Sequence, residues 1–374
     1  MKILLVANYK PDRQRSMARY AEMLHSELRK RGYDVTLFYP VHFATRLVND
    51  RSRLFRWLGY IDKFVLTPPL LRFRARNADI VHVCDHSNSA YLRWTGSAAN
   101  LITAHDALAI RSALGHFRQN PTRWSGVRLQ QWILQGLNHP QRIACVSEKT
   151  RQDFRALLPN GPAMTVIPNP LGANFKPASN DEISGIRFLC GLSAEDKYLL
   201  HVGKDNWYKN RPGVISIMSK LRKTPFFRNT KLVMAGTRLP DSLRRSAQEL
   251  RGVIECVNPT DEQLCALYSG ALALLFPSLE EGFGWPILEA QACGCPVITT
   301  ARQPMEEVAG GAAILIDPEN PDEAAEIIAA RIHEIEMLRQ RGFANVENYS
   351  KAKAIDRYCQ VYDELAATST KSEK

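Results

Sequence analysis

Residues 278–300, SLEEGFGWPILEAQACGCPVITT, read as a strand end, a glycine turn, a helix and a second strand, with carboxylates at Glu281 and Glu289. The apolar run ALALLF (271–276) before it is a short buried strand, closed by Pro277 and Ser278. Gly282, Phe283 and Gly284 then let the backbone turn tightly and approach a ligand without interference from a Cβ. Pro286 fits the first helical position, where its missing N–H costs nothing. The result is a helix N-terminus with unpaired amides beside a glycine turn, an anion site suited to a diphosphate. Carboxylates repel phosphates, so Glu281 and Glu289 are expected to bond hydroxyls on either side of them. Phosphates flanked by hydroxyls describe a nucleotide sugar.

The spacing E-x7-E from Glu281 to Glu289, set within EGFGxPxxEAxAxGxPVI, resembles the donor-site signature of retaining GT-B glycosyltransferases, in particular glycosyltransferase family 4 (glycosyl transferases group 1). Taken alone, the residues also allow an ordinary βαβ crossover whose glycines are only turns. The resemblance implies an α/β protein of GT-B architecture, two Rossmann-like domains with parallel sheets facing across a cleft. It further implies a metal-independent, cofactor-free retaining transferase. Such an enzyme moves a hexose-type sugar from a UDP- or GDP-sugar to a glycan or lipid-linked acceptor, as in surface polysaccharide or glycolipid biosynthesis.

Periodicity along the chain supports two α/β halves. KILLVAN (2–8), a helical stretch over 16–31 and DVTLFY (34–39) open the first, followed by strand runs at 79–84, 100–104, 142–146 and 164–168. The second half carries strand runs at 197–203, 231–236, 253–257, 271–276, 296–300 and 312–316, with helical patterns between them and a long one over 321–341. Strands alternating with helices predict parallel sheets covered on both faces. Three segments are therefore expected: 1–180 as an acceptor-side domain, 181–349 as the nucleotide-sugar domain, and 350–374 as a terminal helix with a polar tail. By the resemblance, that helix crosses back to the first domain. A chain of 374 residues suits two such domains.

Composition narrows the setting. No apolar run approaches the ~18 residues of a membrane span, and the first strand begins at once, so neither export nor a transmembrane segment is expected. Eight scattered cysteines lack metal spacing and suit a reducing cytosol. The net charge of +11 is uneven: residues 1–180 hold 26 Lys/Arg against 11 Asp/Glu, the remainder 23 against 27. A basic first half suggests a polyanionic surface or substrate. Its densest cluster, Arg46, Arg51, Arg53, Arg56 and Lys63, is interleaved with Phe43, Leu54, Phe55, Trp57, Leu58, Tyr60 and Phe64. That mixture fits an anionic membrane face, which would place the protein in the cytoplasm or peripherally on the inner face of the membrane; it equally fits a solvated helix with its apolar stripe turned inward. Nucleic acid is not expected as a partner, since the cations are spread over many elements without a recognised binding motif. A nucleotide-sugar epimerase remains the rival enzyme.

Ligands of open α/β sheets gather beyond the carboxyl ends of strands. In HVGKDNWYKN (201–210), Lys204 and Lys209 follow the strand-end Gly203, where cations would neutralise a departing diphosphate. The family pattern there is G-R-x(n)-K; Lys209 matches its lysine, whereas Lys204 stands in place of arginine and loses bidentate recognition. By resemblance Glu281 contacts sugar hydroxyls, Glu289 the ribose, and the backbone near Val257 and Asn258 the base. His105, after the strand at 100–104, is expected to bond a sugar hydroxyl; with Asp106 it alternatively caps the next helix. Asp85, His86 and Ser87 either line the acceptor side or start a helix, and Ser147 reads as a helix cap. Lys10, Arg13 and Arg15 crowd the opening loop and suit an anionic acceptor. Alanine at Glu289 or Lys209 is expected to abolish transfer with the fold intact.

Overall fold

The computed structural model describes residues 1–172 and 175–372; the side chains of Arg15 and of 369–372 lie outside the described set. The chain divides into two units, residues 1–169 with the segment from Lys351 onward, and residues 170–350. This division falls earlier than the expected 180/181 boundary. Ser179 accepts from the amide of Glu182 in a capping box that starts the helix Asn180–Leu189, so residue 180 already opens a helix of the second unit.

The first unit holds six parallel strands in the order β2-β1-β3-β4-β5-β6. They are β1 (Lys2–Val6), β2 (Asp34–Phe38), β3 (Ile80–Val83), β4 (Ala99–Ala104), β5 (Arg142–Cys145) and β6 (Ala163–Val166). Side chains alternate across a strand, and β1 shows what that does to the core. Ile3 and Leu5 join one apolar cluster with Tyr20, Leu24 and Leu28 of the first helix, while Leu4 and Val6 join another on the opposite face with Leu71, Ile133 and Phe154. Both faces are thus covered.

The last helix, Lys351–Ser372, belongs to the first of these clusters through Ile355, Tyr358, Val361, Tyr362 and Leu365. It runs into the stretch expected to form the polar tail. Polar contacts index it: the Tyr362 hydroxyl lies 2.7 Å from His82 Nδ1, and Tyr358 bonds Tyr20 and, at 3.2 Å, Thr103. Burial holds His82 neutral, its pKa pushed down to about 3.

The second unit repeats the scheme in the order β12-β11-β10-β7-β8-β9. Its strands are β7 (Tyr198–Gly203), β8 (Lys231–Gly236), β9 (Val253–Val257), β10 (Ala273–Phe276), β11 (Val297–Thr300) and β12 (Ala313–Ile316). Two central strands end in glycine for a steric reason. Gly236 sits at φ +134, and a Cβ there would lie 2.2 Å from the Gly203 carbonyl oxygen. The ends of β7 and β8 therefore pack backbone to backbone, and the Asn258 amide donates to the Gly236 carbonyl at 2.7 Å. The helical pattern expected over 321–341 resolves into Pro321–Arg331, a 3-10 turn and Ile335–Val346.

Candidate functional site

Within the second unit the loops after β7 and β10 converge. Asn210 does the joining: in the left-handed conformation (φ 52) it caps the helix Arg211–Leu221, and its Nδ2 donates to the carbonyls of Pro277 (3.1 Å) and Pro318 (3.0 Å). The Leu279 amide donates to the Tyr208 carbonyl at 2.8 Å, a second clip between the same loops. Lys209, fixed between these clips, extends over the Phe276 ring (4.7 Å) and places Nζ 2.6 Å from Glu281 Oε1. Gly203 makes room for it, since a Cβ would meet the Lys209 stem at 3.3 Å.

The Lys209–Glu281 pair is mostly buried, with side-chain exposures of 12% and 10%. Lys209 therefore already has an anionic partner, which the reading of a lysine waiting for phosphate did not include. The two loops share one charge-assisted bond, and a ligand phosphate would compete with or add to Glu281. Lys204, by contrast, is exposed.

The helix after the glycine turn spans Trp285–Ala292, so Pro286 takes its second position, not its first. Gly284 is the N-cap at φ +107, a conformation that favours glycine. Gly282 does not need that freedom, because it is absent from the left-handed residues. Phe283 is buried against Trp285 and Tyr349, so its side chain anchors the turn and is not free to contact a ligand. Glu289, one turn into the helix, accepts from the Tyr268 hydroxyl at 3.0 Å. Burial, with the Glu289 charge beside it, raises the Tyr268 pKa well above its ordinary value and keeps the phenol a donor. Val257 ends β9 at the sheet edge and Asn258 follows it, turning at φ 51.

Three contributors were not singled out from the sequence. Tyr268 lies in a helix whose other apolar residues read as packing. His201 hides in a strand: its Nδ1 faces the Leu275 carbonyl at 3.0 Å and so carries the proton, which leaves a bare Nε2 beside Gly203. Burial, with Lys209 and Arg211 nearby, holds its pKa at about 3 despite the Leu275 bond. Arg211, 2% exposed, donates to the Thr237 carbonyl at 2.8 Å and secures the loop after β8. Its only sequence signal was an arginine at the first position of a helix.

In the first unit, Asn8, Asp85, His86 and His105 gather beyond β1, β3 and β4, each under a tenth exposed. Asp85 accepts from Asn8 Nδ2 (2.6 Å) and from the Ser87 amide (2.8 Å), so it caps the turn that follows and also ties β1 to β3. Burial would raise its pKa, but His86, His105 and these hydrogen bonds outweigh that and lower it. His105 Nε2 sits 2.9 Å from the Cys84 carbonyl, which can only accept. Its Nδ1 is consequently a bare, buried acceptor without a partner. Burial holds its pKa below the ordinary histidine value, Asp85 opposing. The two readings of this segment divide: Asp106 accepts from the Leu108 amide just ahead of the helix Leu108–Ala113, although Ala107 and not Asp106 is its N-cap, while His105 keeps a free lone pair. Ser147 accepts from the Thr150 amide, the cap expected of it. Lys10 and Arg13 are engaged, Lys10 over the Tyr39 ring (4.1 Å) and Arg13 on Asp50 (2.8 Å).

The basic, aromatic segment takes an outward form. In the helix Arg53–Ile61 and the π-turn Asp62–Leu66, the stripe Leu54, Trp57, Ile61, Val65 is exposed, 69% at Trp57 and 60% at Val65. Gly59 and Asp62 face inward instead. Arg46, Arg51, Arg53 and Arg56 are exposed around the stripe. Among the described residues, no helix is long and apolar enough to cross a membrane.

Comparison with known proteins agrees with both halves. The family model Glycosyltransferase Family 4 matches residues 17–173, and Glycosyl transferases group 1 matches residues 186–356. The chain is similar to O-antigen chain mannosyltransferase B of Escherichia coli, 27% identical over 234 residues, 59% of this chain and 60% of that one. It is also similar to D-inositol 3-phosphate glycosyltransferase of Corynebacterium glutamicum (strain R), 24% identical over 282 residues, 71% of this chain and 66% of that one. The matches thus span less than two thirds of these relatives' lengths. Among solved structures, sucrose-phosphate synthase from Thermosynechococcus elongatus has a TM-score of 0.74 at 19% identity, covering 98% of this chain and 100% of that one. Anabaena HepE in complex with UDP and glucose has a TM-score of 0.71 at 16% identity, covering 97% and 100%. At these identities the structures speak to the fold, which is GT-B.

Proposed function

Because the chain belongs to the family 4 (group 1) glycosyltransferases, we propose that it is a retaining, metal-independent enzyme transferring a hexose-type sugar from a UDP- or GDP-sugar to a glycan or lipid-linked acceptor. Surface polysaccharide or glycolipid biosynthesis is the proposed setting, in line with the similarity to an O-antigen chain mannosyltransferase. The observation that carries the reading is the convergence of Lys209, Glu281 and the Gly284-capped helix on two adjoining loops.

On this reading the diphosphate lies on the Gly282–Gly284 turn, against the amides that open the helix. Lys204 and Lys209 supply positive charge as the sugar–phosphate bond breaks, so no metal ion is called for. Glu281 bonds sugar hydroxyls. Glu289, oriented by Tyr268, bonds the ribose, and the base lies by the backbone of Val257 and Asn258. In the first unit His105 Nδ1 accepts a hydrogen bond from a substrate hydroxyl. Retention requires the acceptor to attack from the face the phosphate leaves, with a phosphate oxygen taking the acceptor's proton. A ligand that binds only the folded state raises its stability, by about 2.7 kcal/mol at a hundred times Kd. In a thermal-shift panel of UDP, GDP, ADP and their sugars, one base is expected to raise the midpoint by several degrees. Flat midpoints throughout would remove the donor site.

The outward stripe supports peripheral attachment to an anionic bilayer, the aromatics in the headgroup zone and the arginines on phosphates. Each cation near such a surface contributes about 1 kcal/mol. Neutralising Arg51, Arg53 and Arg56 together is therefore expected to weaken sedimentation with phosphatidylglycerol vesicles about 100-fold. Equal sedimentation of variant and parent would dismiss the attachment.

A further inference from the structure

A cavity of the first unit, of about 360 Å³, lies between the helix Thr67–Ala75, the turns His86–Trp94 and the helix Trp124–Gly136. Its volume is at the lower end of the ~300–1,000 Å³ typical of ligand clefts. Phe64, Trp94 and Trp132 form its walls, over buried Pro68 and Tyr91. Arg72 and Arg93 also line it, and because both are exposed they stand at its mouth. Arg93 donates Nε–H to His139 at 3.1 Å, which orients its guanidinium fork.

Among the described residues, the lining side chains include no carboxylate and no amide. Sugar hydroxyls need such acceptors when they are buried, so a saccharide is a poor occupant. Aromatic walls ask instead for hydrocarbon, and two guanidinium groups ask for a phosphate. The cavity is also continuous with the exposed stripe. Trp57 contacts Tyr60 (ring centroids 6.0 Å), Tyr60 stacks on Phe64 (5.9 Å), and Phe64 meets Trp132 (4.8 Å). An aromatic track thus leads from the outward face into the cavity wall.

We propose that this cavity binds a single-chain lipid phosphate, the chain against Phe64, Trp94 and Trp132 and the phosphate between Arg72 and Arg93. The inference rests on the reading above in one respect, since it makes the acceptor, or its carrier, a lipid phosphate. It involves no contact with the donor loops, so it is tested without a donor.

Isothermal titration of the full chain with decyl phosphate below its micellar concentration is expected to saturate at one equivalent. Decanol and inorganic phosphate, each carrying half of the chemistry, are expected to bind at least about tenfold more weakly, because each forfeits one set of contacts. The exposed-site variant R72A/R93A should lose about tenfold or more for decyl phosphate, with unchanged unfolding by circular dichroism and an unchanged thermal response to nucleotides. Equal binding of decanol would show only apolar partitioning, and equal binding of inorganic phosphate only a charged patch; either overturns the proposal. So does tighter binding of dihexanoyl phosphatidylglycerol, a two-chain lipid, or no saturable heat at all. Failure here with intact nucleotide shifts removes the lipid site alone, whereas absent nucleotide shifts with intact decyl phosphate binding removes the donor reading alone.

Discussion

Lys209→Ala is expected to cut kcat by about two to three orders of magnitude, the loss typical of removing one preorganised group that stabilises developing charge. The same substitution should also destabilise the second unit. Glu281 is only 10% exposed at its side chain, and its carboxylate would be left without the Nζ it holds at 2.6 Å. Breaking a buried pair from one side costs about 3 kcal/mol or more. The fold is therefore not expected to be indifferent, contrary to the sequence-based expectation that activity alone would suffer. K209M/E281Q separates the two effects, because it removes both charges: stability by urea unfolding should recover most of the loss while turnover stays low. If the double variant regains turnover with stability, Lys209 serves the fold and not the reaction.

Asp62→Ala should remove about 4 kcal/mol or more from the first unit. The carboxylate is fully buried and accepts five hydrogen bonds, from Tyr9 (2.5 Å), the Thr45 hydroxyl (2.8 Å), and the amides of Phe43 (3.2 Å), Ala44 (2.7 Å) and Thr45 (3.1 Å). Each donor left unsatisfied costs about 1–3 kcal/mol, and losses of this total size belong to broken buried networks. Burial alone would raise the Asp62 pKa, but the bonds from Tyr9, Ala44 and Thr45 outweigh it and bring the value down to about 2. A folded pKa below the unfolded one stabilises above the unfolded pKa. The contribution is thus complete above about pH 4 and fades as pH falls toward 2. Urea midpoints of parent and D62N should accordingly differ most near neutrality and approach each other in acid. A D62A variant within about 1 kcal/mol of the parent would mean water replaces the carboxylate.

Most of the architecture was legible because buried parallel strands write themselves as apolar runs. ALALLF and KYLLHVG announce β10 and β7, and Pro277 after the first and Gly203 closing the second announce strand ends. The turn at Gly284 was legible for a similar reason, since only glycine sits easily at φ +107. Pairing was not legible. Nothing local says that Lys209 reaches Glu281, 72 residues on, or that Tyr268 holds Glu289. Those contacts depend on how β7 and β10 stand side by side, which is a property of the assembled sheet.

The orientation of the helix Arg53–Ile61 escaped for a different reason. Periodicity finds the core face of a helix when only one face is apolar. Here Gly59 is buried and Phe55 and Leu58 are half-buried while Leu54, Trp57 and Ile61 are exposed, so both phases read alike. The tether that decides the phase is Asp62, a charged residue that any pattern of hydrophobicity assigns to solvent.

The closing helix carries a lesson about chain order. Its tyrosines complete the core around β3 and β4, so the first unit lacks part of its own wall until residues beyond 350 have left the ribosome. The 170–350 unit, although synthesised later, has all its strands before the first unit is whole. A nascent chain must therefore hold an open apolar seam while its neighbour matures, and a premature stop near residue 350 would spoil the half that was translated first.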